Sequence, residues 1–253
     1  MSFTKSFADF ISESEDFLFE GKYDRLVGQI SADAMRLIKD SNTPSGEYDG
    51  IKIRYSSNED VPGFNDLIDD MQFLDVGDYP NFKDSNFDVY VKLVIIRDEA
   101  PTYTEPFILD GNADEDPAIL YIELTINPAF EPQCYGELAP EMRNLIRHEI
   151  EHLTQRGWNT IPSKAMKRNY AYRVKIQSDP ESYYKYYKLK DEVDANLHGI
   201  YAEAKTRKRP FKEMVTKFLD DRIAKGIVPP SKKQEIYTLY KNRARKIGGL
   251  PEL

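Results

Sequence analysis

The stretch Pro140-Glu141-Met142-Arg143-Asn144-Leu145-Ile146-Arg147-His148-Glu149-Ile150-Glu151-His152-Leu153-Thr154-Gln155-Arg156-Gly157 decides how the rest of the chain is read. Met142, Leu145, Ile146, Ile150 and Leu153 recur at helical spacing and form one apolar stripe. Pro140 suits a first helical position and Gly157 suits the left-handed residue past the last turn, so one helix closed by a glycine is expected. His148 and His152, two of the chain's three histidines, stand one above the other along an edge of the stripe, with Glu149 inside it. Arg143, Arg147, Glu151 and Thr154 fall on the opposite side and are expected to meet water.

The pattern is His-Glu-x-x-His. Imidazoles four positions apart on a helix can bind a single zinc ion. Neutral imidazoles hold zinc and leave a position for water, whose pKa falls to about 7, and a neighbouring carboxylate can then take the proton. Glu149 is placed to be that base. A purely structural zinc normally closes with four protein ligands and needs no base.

These residues resemble the zincin metalloproteases. No further histidine follows at the short, glycine-containing spacing of the metzincin pattern, so a carboxylate is needed as third ligand. The best candidate region is the helical pattern from Tyr187 to Ala204, whose apolar face is Val193, Leu197, Ile200, Tyr201 and Ala204. Glu192, Asn196, Gly199 and Glu203 run along one edge of that face, while Asp191 and His198 point to the other side. Glu192 thus has the same edge-of-core placement as the two histidines. Asn196, one turn on, is suited to hydrogen-bond a ligand histidine, and Ala195 leaves room for the helices to approach.

The resemblance narrows to the gluzincins, in which a glutamate on a later helix completes the site. It implies His148, His152 and Glu192 as zinc ligands and Glu149 as the catalytic residue. The chain departs from the pattern in the long gap between His152 and Glu192, and in having asparagine where some members have aspartate. A downstream histidine often stabilises the oxyanion in this family, but His198 turns away from Glu192 and reads as a surface residue. Tyr183, Tyr184, Tyr186 and Tyr187 precede the Glu192 helix. A phenol there could donate a hydrogen bond to a tetrahedral intermediate, or the four could be packing and rim residues.

Upstream, residues 24–40 read as a helix with Leu26, Val27, Ile30, Ala34, Leu37 and Ile38 on one side, broken by the turn residues of 42–46. Strands are expected at 51–55, 87–97, 107–109 and 118–126, and a short helix at 64–73. The acidic stretch 110–117 lacks the spacing of an EF-hand loop and reads as a solvated hairpin. Because zincins place an edge strand before the zinc helix, Ile119 to Ile126 is expected to be that edge and to pair with an extended substrate. Residues 158–182 read as irregular, and two helices follow on either side of Pro229-Pro230, the first built on Phe211, Met214, Val215, Phe218, Leu219 and Ile223.

The first thirteen residues place phenylalanines at 3, 7 and 10, as in a detachable amphipathic helix. They also resemble the capsid-targeting peptides of internal head proteins of large contractile-tailed bacteriophages, which the prohead protease cuts after an Ile/Leu-x-Glu triplet. Ile11-Ser12-Glu13 matches that triplet and implies processing between Glu13 and Ser14. It also implies a capsid or prohead protease as partner, and passage from the virion interior to the host cytoplasm.

The chain has 253 residues, 40% of them hydrophobic, enough to bury a sizeable core. Its single Cys134 excludes an internal disulfide framework. No apolar run is long enough to span a membrane and the N-terminus lacks the regions of a secretory signal, so synthesis in the cytoplasm is expected. Net charge is −8, yet residues 203–247 carry fourteen Lys/Arg against five Asp/Glu. Those basic helices suit either nucleic-acid contact or solvated faces that meet the acidic remainder of the chain.

The expected product is an α+β, zincin-like protein. Residues 14–157 would form an α+β lobe with a small mixed sheet, ending in the zinc helix. Residues 158–253 would form a helical lobe bearing the third ligand, with the cleft between the two. The expected function is a zinc-dependent peptidase acting on a protein or peptide; the alternative is a virion structural or host-interaction protein that keeps the scaffold without turnover.

Overall fold

A computed structural model describes residues 23–41, 48–56, 88–98, 105–115, 118–156, 171–176, 178–179 and 181–253. Residues 1–13, expected as a targeting segment, the Glu13/Ser14 junction, the turn expected at 42–46, the helix expected at 64–73 and Gly157 lie outside these residues.

A helix, Asp24–Asp40 (α1), precedes the strands Tyr48–Ser56 (β1), Asp88–Arg97 (β2), Phe107–Glu115 (β3) and Ala118–Ile126 (β4). Among the described residues they form one mixed sheet ordered β1-β2-β4-β3, in which β2 and β4 are parallel and both outer pairs antiparallel. Alternation decides the faces: Val91, Leu93 and Ile95 of β2 and Leu120, Ile122, Leu124 and Ile126 of β4 are buried, while Lys92, Tyr121 and Glu123 turn to the other face. Leu26, Val27, Ile30, Ala34 and Ile38 of α1 join the same core.

Two expectations for this region need correction. The strand Ile119 to Ile126 is not an edge, because β3 pairs along its whole length from Phe107↔Ile126 to Glu115↔Ala118. Among the described residues the edge position belongs to β3. The acidic stretch is likewise mostly strand: β3 runs on to Glu115 because β4 offers it a complete partner, so its carboxylates sit on an extended segment.

The central helix runs Tyr135–Arg156 (α2) and starts a turn and a half earlier than Pro140 suggested. Backbone N–H groups of Glu137 and Leu138 bond to Cys134 O, and Leu138 is fully buried, so the helix is nucleated ahead of the proline, which loses only one internal bond. Met142, Ile146, Ile150 and Leu153 pack on the sheet, with Leu145 partly buried against them. The stripe over β3 is close, because a Cβ on Gly111 would lie 2.7 Å from Tyr121 O and 3.0 Å from Leu145 Cδ2. Glycine there lets α2 settle against the edge strand.

Residues 171–176 are helical rather than irregular, and a 3-10 segment, Tyr183–Lys188, leads into Lys190–Arg207 (α3), Phe211–Ala224 (α4) and Lys233–Ala244 (α5). Val193, Leu197 and Ile200 of α3, Met214 and Leu219 of α4, and Ile236 and Tyr240 of α5 build a second core. Helices α2 and α3 run antiparallel in contact, as the pairs Asn144/Glu203 and His152/Glu192 require. Arg147, expected in water, is instead 4% exposed, with Nε 3.8 Å from Asp24 Oδ1 and Nη1 donating to Glu151 Oε2 at 2.9 Å. Helix α2 is covered by the sheet, α1 and α3, and its own periodicity reports only the first of these.

Candidate metal centre

His148 and His152 project from α2 toward Glu192 in the first turn of α3, and of the three His148 and Glu192 line the cleft between these helices and β3. The two Nε2 atoms are 3.0 Å apart. Glu192 Oε1 lies 3.3 Å from His152 Nε2, and Oε2 lies 3.7 Å from His148 Nε2. One ligand atom from each residue falls within 4.8 Å of the others. Tetrahedral ligands at zinc-like bond lengths of about 2.1 Å stand about 3.4 Å apart, so these spacings suit a small divalent ion.

The burial of the group points the same way. Glu192 is fully buried, and neither of its oxygens accepts an aligned hydrogen bond. A buried carboxylate without partners costs several kcal/mol, and here its neighbours are two imidazoles and the Arg173 guanidinium, whose Nη2 lies 2.6 Å from Oε1. Burial acts to raise the Glu192 pKa, but His152, His148 and Arg173 outweigh it and hold the carboxyl at about 2. Burial, with His152 beside it, lowers the His148 pKa to about 3. The set is therefore two near-buried histidines, one of them held neutral by its surroundings, and an ionised carboxylate, which is the protonation state a cation needs.

Glu149 is 7% exposed, and its Oε1 stands 3.8 Å from His148 Nε2. It shares an open cleft of ≈ 920 Å³ with His148 and Glu192, walled by β3 on one side and by α4 on the other. Of the four tyrosines, Tyr186 and Tyr187 line this cleft; Tyr183 and Tyr184 pack on the second core instead. Burial and then the charge of Glu192 raise the Tyr186 pKa, so its phenol keeps its proton. Tyr187 is held in the second core against Phe218, at 5.9 Å between ring centroids.

Asn196 also lines the cleft, but its Nδ2 is buried with no hydrogen-bond partner, and so is His152 Nδ1. The expected hydrogen bond between Asn196 and a ligand histidine is not formed, which leaves two unpaired polar atoms at the centre. His198 is the other correction. Its side chain is only 19% exposed, and its Nε2 faces Glu151 Oε2 at 3.6 Å in the α2–α3 contact. It avoids Glu192 as expected, but α2 covers most of the side it turns to, so it is only partly exposed.

Sequence reasoning overlooked Arg173, which bridges Asp191 (2.5 Å) and Glu192 and lies 5.7 Å from the Tyr186 ring. The adjacent acids Asp191-Glu192 were a signal for a cation, but nothing local says which of many supplies it. The basic residues of 203–247 largely meet acids: Lys205 pairs with Asp24, Arg207 with Glu137 and Glu203, and Arg243 with Asp194. No described helix is long and apolar enough to cross a membrane. Comparison with protein-family models, with curated proteins and with solved structures gives no match.

Proposed function

We propose that this protein is a zinc-dependent peptidase of gluzincin type. The observation that carries the reading is the convergence of His148, His152 and the fully buried Glu192, from two antiparallel helices, beside the carboxylate of Glu149. Its support in the fold is the edge strand β3 along the same cleft, whose outer backbone groups can pair with an extended peptide.

His148, His152 and Glu192 would hold the ion. Zinc supplies Lewis acidity, lowering the pKa of a water to about 7 and polarising a peptide carbonyl. Glu149 takes the proton of the attacking water and passes it to the departing amine. Tyr186, protonated and at the cleft wall, is the phenol best placed to donate to the developing oxyanion. Arg173 holds Glu192 in place from behind.

The test combines metal analysis with cleavage of an unstructured protein. About one zinc per chain, lost in His148→Ala and in Glu192→Ala, with cleavage abolished and zinc retained in Glu149→Gln, is the expected result. Zinc retained by Glu192→Ala would move the third ligand elsewhere. Wild type free of zinc after purification without chelator would overturn the reading, and zinc without cleavage would leave a binding scaffold.

A further inference from the structure

Helix α4 forms the cleft wall opposite β3 and, with the residue that follows it, contributes three cations to the lining, Lys217, Arg222 and Lys225. Lys217 Nζ lies 3.6 Å from Asp221 Oδ2, and Lys225 Nζ lies 3.8 Å from Glu105 Oε1. Among the described residues that line the cleft, Arg222 is the cation without a carboxylate partner.

Its setting is built rather than loose. The guanidinium carbon lies 4.9 Å from the centre of the Phe218 ring and 5.8 Å from that of Tyr187, and the two ring centres are 5.9 Å apart, so the group rests against both rings from one side. Its Nε is buried and has no hydrogen-bond partner. A buried guanidinium N–H without an acceptor is costly, because it has given up water and received nothing in return. With Nε closed off, an incoming carboxylate would meet the two Nη groups, whose edge matches its two oxygens.

The other walls sharpen the choice of ligand. Glu137 and Glu141 on α2 and Asp110 on β3 line the same cleft and repel a negative group, while the lining acids nearest α4, Asp221 and Glu105, face Lys217 and Lys225. A carboxylate entering this space is therefore directed to the α4 wall, and there to Arg222, among the described residues the lining cation that faces no carboxylate.

We propose that Arg222 is a specificity residue that receives a carboxylate of the bound peptide, from its C-terminus or from an Asp or Glu side chain. The assignment rests on the peptidase reading for its substrate class. Unlike that reading, it does not depend on turnover, so the two can fail separately.

The probe is a set of short synthetic peptides carrying a single Glu at successive positions, with Gln counterparts, each made as free acid and as C-terminal amide. Binding is measured calorimetrically to the full chain carrying Glu149→Gln, with and without Arg222→Gln. With Arg222 in place, the best acid peptide is expected to bind about tenfold or more tightly than its neutral counterpart. Arg222→Gln should bring the two within about twofold, and Arg222→Lys should keep part of the preference. Arg222→Met, which keeps the stem over Phe218, gives the same comparison if Arg222→Gln folds poorly.

A preference that follows the free terminus identifies the chain end as the ligand, and one that follows Glu in both series identifies the side chain. The absence of an acid preference, or one that survives removal of the guanidinium, overturns the assignment. If peptides are never cut by the wild type yet the Arg222-dependent preference holds, the peptidase reading falls and the carboxylate site stands. If peptides are cut but neither binding nor cleavage responds to Arg222, the carboxylate site falls and the peptidase reading stands.

Discussion

Gly199 of α3 lies against His148 of α2 with no room for a methyl group. A Cβ on Gly199 would stand 3.3 Å from His148 Cβ and 2.8 Å from Asn144 O, and would overlap Asn144 Oδ1. This contact sets the separation of the two antiparallel helices, and so how near Glu192 comes to the histidines. The Asn144 amide, which donates to Glu203 at 2.7 Å, marks the next turn of the same seam.

Gly199→Ala is therefore expected to cost about 1–3 kcal/mol of stability, since the overlap is partly with backbone and must be relieved by moving a helix. It should also weaken metal binding although no ligand is altered. Thermal melts and zinc titration of the variant check both. Unchanged metal affinity would show that the crossing does not set the site.

Arg173 is expected to matter most when the metal is absent. With Arg173→Met, the fully buried Glu192 loses its closest cation, and removing one partner of a buried pair costs about 3–5 kcal/mol. A bound metal ion supplies positive charge to the same carboxylate, so the variant should recover much of that loss on adding zinc. Melting wild type and variant with chelator and with zinc tests this; an equal loss in both states would contradict it.

A second buried pair lies far from the centre and should be silent in function. Arg97 donates to both oxygens of Glu131, at 3.0 and 3.1 Å, and to Ile38 O at 3.1 Å, tying the end of β2 to α1 and to the start of α2. Glu131→Ala leaves the 8%-exposed Arg97 without a counter-charge, though still bonded to Ile38 O and Ser41 Oγ, and is expected to cost about 3 kcal/mol. Zinc content and cleavage by the folded fraction should match wild type.

Acid should destabilise the protein partly through His198. Burial, reinforced by Arg147, lowers its pKa to about 4 from an ordinary 6.5. Between those values the unfolded chain binds a proton that the folded chain refuses, so stability is complete above pH 6.5 and falls as the pH drops toward 4. His198→Gln should flatten that fall by at most about 3 kcal/mol. Urea melts of metal-free protein at about pH 7 and about pH 4.5 measure the difference. In the same protein, the depressed Glu192 carboxyl adds a further loss as the pH falls below 4.5 toward 2.

What the sequence determined by itself is what short-range periodicity can encode. The bounds of α1 and β4 follow from their apolar spacing, and so does the stripe of α2, because a residue's place on a helix or strand depends only on neighbours a few positions away. His148, His152 and Glu192 could be singled out in the same way, since each borders the apolar face of its own helix, and Glu149 by its place between the two histidines. Only the tertiary structure decided what each remaining face meets. Among the described strands it put β3 at the edge in place of β4, because strand order is set by long-range pairing. It buried Arg147 and half-buried His198, because both lie where α2 meets its neighbouring helices, which no helix shows in its own pattern. It also set Arg173 behind Glu192 and left Arg222 unpaired in the cleft. The partner of a charged side chain comes from another element, and no local spacing specifies which one.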